Sequence, residues 1–286
     1  MRVKQKLDLL HRHSGNRRLR QLPEVQQRND DPAGIMRHAG RYADGRALIV
    51  LGGDSGSRWD EIKNRVRPDV IMGGNGVNAV VHGLDYWMIA ENMNYTSKRA
   101  EIGDARAIEF MKMFHREAGA KIKLVSHRSW NLLRDKTNCI SIRRMGYEPG
   151  QIPPDFSLRV YGEGFMSGRV YREPEFLRLP QRVGNVGVHL LHMAGILGCA
   201  EIHTIGFDML FTKNDHHHFY EYPIYQPDHF RSSKMFVKYR EVNTQVIWIE
   251  TARFLKSMES YFEQAGIEWT DHSAGLLKIE GLKCAK

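Results

Sequence analysis

Cysteine is scarce in this 286-residue sequence. There are three, Cys139, Cys199 and Cys284, and no two of them form a C-x-x-C pair. An odd number of widely spaced cysteines argues against a disulfide framework and against a cysteine-based zinc site, and fits a reducing compartment. We therefore expect a cytoplasmic protein.

Long hydrophobic runs are also lacking. The longest, Ala47 to Leu51 and Val186 to Leu197, are far shorter than the roughly 20 residues needed to cross a bilayer. Residues 1–10 are positively charged but have neither a continuous apolar stretch nor a small-residue cleavage site, unlike a secretory signal. We expect no transmembrane segment and no export by the secretory route.

Positive charge is concentrated at the start of the chain. Residues 1–46 hold eleven Lys or Arg against five Asp or Glu, which accounts for +6 of the net charge of +9. Such a segment suits an anionic partner such as nucleic acid, and a solvated leader is the alternative. We divide the chain into a basic N-terminal arm, residues 1–46, and a main domain, residues 47–286.

Short apolar stretches that end at glycine or polar residues recur along the main domain. They predict strands at 47–51, 69–72, 84–89, 121–126, 201–205 and 267–270, and helices at 105–118, 186–197 and 242–262. This alternation predicts an α/β domain with a Rossmann-like, mostly parallel sheet flanked by helices. The irregular, glycine-rich stretch within residues 131–180 predicts a lid-like insertion.

The predicted strands are followed by small and polar residues. Because ligands of open α/β sheets bind at the carboxyl ends of the strands, these positions predict a nucleotide site. Glycines allow close approach to a phosphate, and exposed amides supply donors to it. The glycine pattern is neither G-x-G-x-x-G nor a Walker loop. The binding candidates from this argument are Gly52, Gly53, Asp54, Ser55, Asn75 and Asn92.

Histidine and tyrosine are concentrated between Asp215 and His229. Histidine can act as a general base near neutral pH, and tyrosine can donate hydrogen bonds to phosphate oxygens. His229 is the preferred base because Asp228 precedes it, and His217 and His218 are rivals; Tyr220, Tyr222 and Tyr225 are the phosphate candidates. Surface histidines are the alternative. Consecutive histidines point in different directions, so we predict no metal site.

The segment Gly187 to Leu210 resembles the helix–strand element of the bacterial sialyltransferase-like family, with Leu-Gly-x-x-x-Ile followed by Gly-x-Asp. It is also similar to archaeal hydroxymethylpterin diphosphokinase-like proteins. The resemblance extends more loosely over about residues 47–276, and includes Asp271-His272-Ser273. It implies a Rossmann-like sheet with a nucleotide in its cleft. Asn185 and Gly187 stand where the sialyltransferases bind their donor, and Asp208 is the turn carboxylate that we assign to catalysis.

The resemblance implies a transferase with a nucleotide-linked donor. Our main hypothesis is a glycosyltransferase that moves a sugar from a nucleotide-sugar to an acceptor hydroxyl, with no permanently bound cofactor. The alternative is a diphosphokinase whose Mg²⁺ is held by carboxylates such as Asp54, Glu91 or Asp208. A third hypothesis, of another class, is a nucleic-acid-binding protein that uses the basic arm; a transferase with a nucleic-acid acceptor would combine both.

Overall fold

The structure is a computed structural model. It describes residues 38, 40–89, 93–115, 122–126, 132–133, 139–142, 185–211, 219, 236–257, 259–264 and 266–282. Most of the predicted basic arm, most of the predicted lid within 131–180, and the histidine-rich segment apart from Phe219 lie outside the described residues. The arm and the lid therefore stay predictions. Within the stretch predicted to be irregular, Cys139–Ile142 forms a strand.

Strands and helices alternate along the described chain. Its strands are β1 (Arg46–Val50), β2 (Val70–Gly74), β3 (Tyr86–Ile89), β4 (Ile122–Ser126), β5 (Cys139–Ile142), β6 (Glu201–Ile205), β7 (Phe236–Tyr239), β8 (Val242–Gln245) and β9 (Glu268–Asp271). Its α-helices are α1 (Trp59–Val66), α2 (Met93–Glu101), α3 (Ala105–His115), α4 (Val186–Ile196), α5 (Val246–Ser257), α6 (Glu259–Gln264) and α7 (Leu276–Ile279). Short 3-10 segments, Asp54–Arg58 and Asn75–Ala79, follow β1 and β2.

One parallel sheet organises the domain. Among the described residues it has seven strands in the order β5-β4-β3-β2-β1-β6-β9, and each neighbouring pair is parallel. The chain moves outward from β1 to β5 and then returns to the other side of β1 with β6. This reversal is a topological switch point of the Rossmann type, at which ligands of open sheets bind. The predicted Rossmann-like α/β fold is confirmed.

The continuous apolar run of β1 is explained by burial on both faces of the sheet. Ala47 and Ile49 pack into a core with α4, α5 and α7, whereas Leu48 and Val50 pack on the opposite face with α1 and α3. All four side chains are fully buried. A strand covered by helices on both faces has no solvent side, so its sequence does not alternate.

The single helix predicted over 242–262 is wrong. Residues 242–245 form β8, which pairs antiparallel with β7, and helices α5 and α6 follow separately. The β7–β8 turn is made by Arg240 and Glu241, with φ of 44° and 66°. Two consecutive left-handed residues are typical of a tight hairpin turn, which usually contains glycine or asparagine. Because this turn contains neither glycine nor asparagine, no signal in the sequence predicts a hairpin here.

The end of the predicted arm packs on the domain. The Tyr42 amide donates to the Leu197 carbonyl at 2.9 Å, and the Asp44 amide donates to the Gly198 carbonyl at 3.0 Å. These contacts join residues just before β1 to the loop between α4 and β6. In the described part of the chain, the helices are too short or too polar to cross a membrane.

Candidate functional site

The candidate site is the carboxyl edge of the sheet at the switch point, where the chain segments that follow β1, β2, β6 and β9 approach the start of α4. We call this region the switch-point crevice and define it by residues 51–58, 74–79, 185–187, 206–208 and 271–275. Segments 51–58 and 206–208 are joined directly, because the Gly53 amide donates to the Gly206 carbonyl at 2.9 Å. The sheet order alone brings these sequence-distant segments together.

Asp208 lies at the centre of this crevice and is 3% exposed. Its carboxylate accepts hydrogen bonds from the Ser55 amide (2.8 Å), the Ser55 hydroxyl (2.7 Å) and the Ala274 amide (3.2 Å). Burial raises the pKa of Asp208, and the donors from Ser55 and Ala274 oppose that rise. These contacts connect three loops through one carboxylate. Our assignment of Asp208 to catalysis stays a prediction, and the geometry gives it a positioning role.

The glycines of the crevice are required by contacts within the protein. A Cβ on Gly53 would collide with the Asp208 carboxylate and approach the Gly206 carbonyl oxygen to 2.7 Å. A Cβ on Gly187 would lie 2.5 Å from a Leu51 methyl and 2.7 Å from the Phe207 ring. Such distances do not occur between real side chains. Close packing is thus sufficient to explain Gly53 and Gly187, two of the three predicted donor-binding glycines.

Backbone amides of the β1 loop are largely engaged. The Gly53 amide donates to the Gly206 carbonyl, and the Gly56 amide donates to the Gly53 carbonyl. The Ser55 amide donates to the Asp208 carboxylate. The start of α4 is the better anion position, since its first turn contains no acidic residue and a helix N-terminus carries partial positive charge. The Asn185 side chain caps this helix by accepting from the Gly187 amide at 2.8 Å.

Asn75 begins the 3-10 segment after β2 and has a left-handed φ of 51°. Its carbonyl accepts from the Trp87 indole at 2.6 Å, which ties the β2 and β3 ends of the sheet. The preceding residue, Gly74, faces Val186 so closely that a Cβ would come within 2.7 Å of it. Asn75 therefore borders the crevice beside the start of α4, and its predicted role in donor binding stays a prediction. Asn92 lies outside the described residues.

Phe219 attaches the histidine-rich segment to this crevice. Its amide donates to the Gly52 carbonyl at 2.8 Å. Its ring lies against Gly56, so closely that a Cβ on this glycine would come within 2.6 Å of the ring. The ring also packs against the hydrophobic cluster that contains the buried residues of α1. The predicted catalytic and phosphate residues of the same segment lie outside the described residues: His217, His218, His229, Tyr220, Tyr222 and Tyr225.

The resemblance includes Asp271-His272-Ser273, but our sequence-based prediction assigns these residues no role and does not include the buried polar cluster at the end of β9. Asp271 is fully buried and accepts from the Thr204 hydroxyl at 2.6 Å and the Ser273 hydroxyl at 2.9 Å. Burial raises the pKa of Asp271 to about 7. The polar Asp-x-Ser turn directly after a strand was the available signal, since the carboxyl ends of all parallel strands meet at one edge.

The described residues include no group of three or more His, Cys, Asp or Glu arranged to hold a metal ion. Of the carboxylates considered for Mg²⁺, Asp54 is exposed, Asp208 is engaged by protein donors, and Glu91 lies outside the described residues.

No protein-family model matches this sequence, and no curated protein is significantly similar to it. Fold and contacts are therefore the basis of the functional proposal.

Proposed function

We propose that this protein is a transferase that binds a nucleotide-linked donor in the switch-point crevice, and that it transfers a sugar from a nucleotide-sugar to an acceptor hydroxyl. The observation that carries the proposal is the hydrogen bond from the Phe219 amide to the Gly52 carbonyl. It joins the segment rich in candidate bases and phosphate ligands to the ligand-binding edge of a Rossmann-like sheet.

The start of α4 suits an anionic donor, because its first turn contains no acidic residue. The Asn185 cap fixes the first turn of this helix, whose positive end attracts phosphate oxygens. Asn75 borders the same region from the β2 side. Asp208 holds the β1 loop in place through Ser55. In this arrangement the loop shapes the crevice and the helix end supplies the electrostatic attraction.

In this proposal, the residues that carry out the transfer lie in the histidine-rich segment. We propose that His229, or else His217 or His218, removes the proton from the acceptor hydroxyl, while Tyr220, Tyr222 or Tyr225 stabilises the departing phosphate. Donors placed where negative charge develops can stabilise a leaving group without a metal. A general base contributes roughly 10²- to 10⁴-fold in rate.

The test is turnover of nucleotide-sugars by the 286-residue chain. CMP-, UDP- and GDP-linked sugars are incubated with the protein in EDTA or in Mg²⁺, and release of the free nucleotide is followed by chromatography. We expect release in EDTA, and a loss of roughly 10²- to 10⁴-fold in kcat for His229→Ala. His82→Ala, which changes an exposed histidine, is the control.

Two results would oppose this proposal. Consumption of a nucleoside triphosphate that requires Mg²⁺, without release from any nucleotide-sugar, would favour diphosphate transfer. Failure of every nucleotide and nucleotide-sugar to bind would remove the donor site altogether. Equal rates for His229→Ala and His82→Ala would leave the donor site standing and exclude His229 as the base.

A further inference from the structure

Two hydroxyl groups converge on one buried carboxylate oxygen at the end of β9. Oδ1 of Asp271 accepts from the Thr204 hydroxyl at 2.6 Å and from the Ser273 hydroxyl at 2.9 Å. All three side chains are buried, with exposures of 0%, 0% and 4% for Asp271, Thr204 and Ser273. Thr204 and Ser273 therefore make chemically equivalent bonds to the same acceptor.

The two hydroxyls differ in what they connect to Asp271. The Thr204 oxygen accepts from the Trp269 indole at 3.2 Å, so its chain of bonds stays between β6 and β9. The Ser273 oxygen accepts from the Phe207 amide at 2.8 Å, and Phe207 belongs to the turn that enters the crevice. Only the Ser273 bond leads toward the proposed donor site.

Phe207 in turn affects both walls of the crevice. Its ring packs on Gly187 in the first turn of α4, where a Cβ would lie 2.7 Å from the ring. Its chain neighbours, Gly206 and Asp208, hold the β1 loop through the Gly53 amide and the Ser55 side chain. A shift of the Phe207 backbone would therefore move the start of α4 and the β1 loop relative to each other.

We propose that Ser273, oriented by Asp271, is a positioning residue of the crevice: it fixes the Phe207 amide and thereby the spacing between the β1 loop and the start of α4. This inference rests on the proposed function for its effect on ligand binding. Its effect on the geometry of the crevice does not depend on which ligand binds. Thr204 donates to the same carboxylate, but its oxygen accepts from the Trp269 indole and not from the Phe207 amide.

The test compares Ser273→Ala with Thr204→Val. Each removes one hydroxyl from the same Asp271 oxygen, so each is expected to lower the free energy of unfolding by a similar amount. Amide hydrogen exchange then separates them. Ser273→Ala should accelerate exchange in peptides covering residues 51–58 and 185–190, neither of which contains the substitution, whereas Thr204→Val should leave both peptides at the wild-type rate.

Ligand affinity provides the second readout. AMP, GMP, CMP and UMP are screened by thermal shift, and the dissociation constant of the nucleotide with the largest shift is measured by calorimetry. We expect about tenfold weaker binding for Ser273→Ala, as for the loss of one well-placed hydrogen bond, and less than about twofold change for Thr204→Val. If Ser273→Ala does not fold, Ser273→Cys keeps the side-chain size while weakening the donor and acceptor.

The outcomes distinguish the two proposals. Equal exchange rates at 51–58 and 185–190 in the two variants would overturn the positioning role, whatever the ligand result. Unchanged affinity in a Ser273 variant whose wild-type parent binds a nucleotide would overturn it as well. If no nucleotide binds the wild type, the proposed function fails, while the exchange comparison still decides whether Ser273 positions the crevice.

Discussion

Replacement of Asp208 by Asn changes one oxygen of a carboxylate that holds three loops together. The Asn carbonyl can keep the bonds from the Ser55 hydroxyl and the Ala274 amide, which both reach Oδ1. The new NH₂ group then replaces Oδ2 and faces the Ser55 amide, which now donates to that oxygen at 2.8 Å. Two donors oppose each other, and one hydrogen bond to a charged group is lost.

The expected cost follows from that geometry. A hydrogen bond to a charged group contributes about 1.5–3 kcal/mol, and a buried donor left without a partner costs about 1–3 kcal/mol. Removal of the buried negative charge offsets part of this, because burial already raises the pKa of Asp208 and so disfavours its ionised form. We expect Asp208→Asn to lower the free energy of unfolding by about 1–3 kcal/mol.

This change is measured by urea denaturation, with circular dichroism as the signal. We expect the midpoint urea concentration to fall, while the dependence of the free energy of unfolding on urea stays unchanged. Asp54→Asn is the matched control: it makes the same chemical change in the same loop at an exposed position, and should stay within about 0.5 kcal/mol of the wild type. Full stability in Asp208→Asn combined with lost turnover would refute the positioning role and support direct action of the carboxylate on substrate.

The remaining predictions also concern stability. Gly53→Ala should cost about 1–3 kcal/mol in urea denaturation, because its Cβ would meet Asp208 and Gly206; wild-type stability would contradict the close packing. Burial raises the pKa of Asp271 to about 7, so its ionisation should destabilise the fold as pH rises from about 4 to 7, by up to about 4 kcal/mol relative to Asp271→Asn. Burial lowers the pKa of His272 to about 4, and the nearby His203 and Arg65 contribute to this shift. The free energy of unfolding of the wild type should therefore fall as pH drops from about 6.5 to 4. Because His272 is partly exposed and solvent screens its charge, the expected loss is about 1–2 kcal/mol. Denaturation midpoints measured across pH 4–8 check both predictions. His272→Gln should lose the fall in stability below pH 6.5, and Asp271→Asn should lose the fall as pH rises toward 7. If a variant keeps the pH dependence of the wild type, the pKa assigned to that residue is refuted.

The sheet could be predicted from the sequence where burial dictates a continuous apolar run. Ala47 to Val50 form such a run in an interior strand, and the bounds of β1 match the prediction closely. Strand β6 also matches the prediction, although its sequence EIHTI mixes apolar and polar residues. Helix α1 could not be recognised by the same reasoning, because only Ile62 and Val66 of its eight residues are buried. Trp59, Ile62 and Val66 do recur at the i, i+3, i+7 spacing of one helical face, but eight residues are too short a window for that period to be recognised.

The candidate site could be predicted as a set of strand ends, but not as a set of contacts. Ser55 and Asp208 are 153 positions apart and share two hydrogen bonds, and no local pattern encodes such a pairing. The glycine at position 53 illustrates the same limit. A phosphate-binding loop and a tightly packed loop both require glycine, and only the position of the Asp208 carboxylate distinguishes them.

The measurement that tests the central proposal most directly is a hydrogen-exchange footprint of the bound nucleotide. The wild-type chain is labelled with and without the nucleotide that gives the largest thermal shift among AMP, GMP, CMP and UMP. We predict protection in peptides covering residues 51–58, 74–79 and 185–190, which border the switch-point crevice. Protection confined to other regions, such as the groove of about 320 Å³ between α6 and β9, or no protection at all, would contradict a donor site at the switch point.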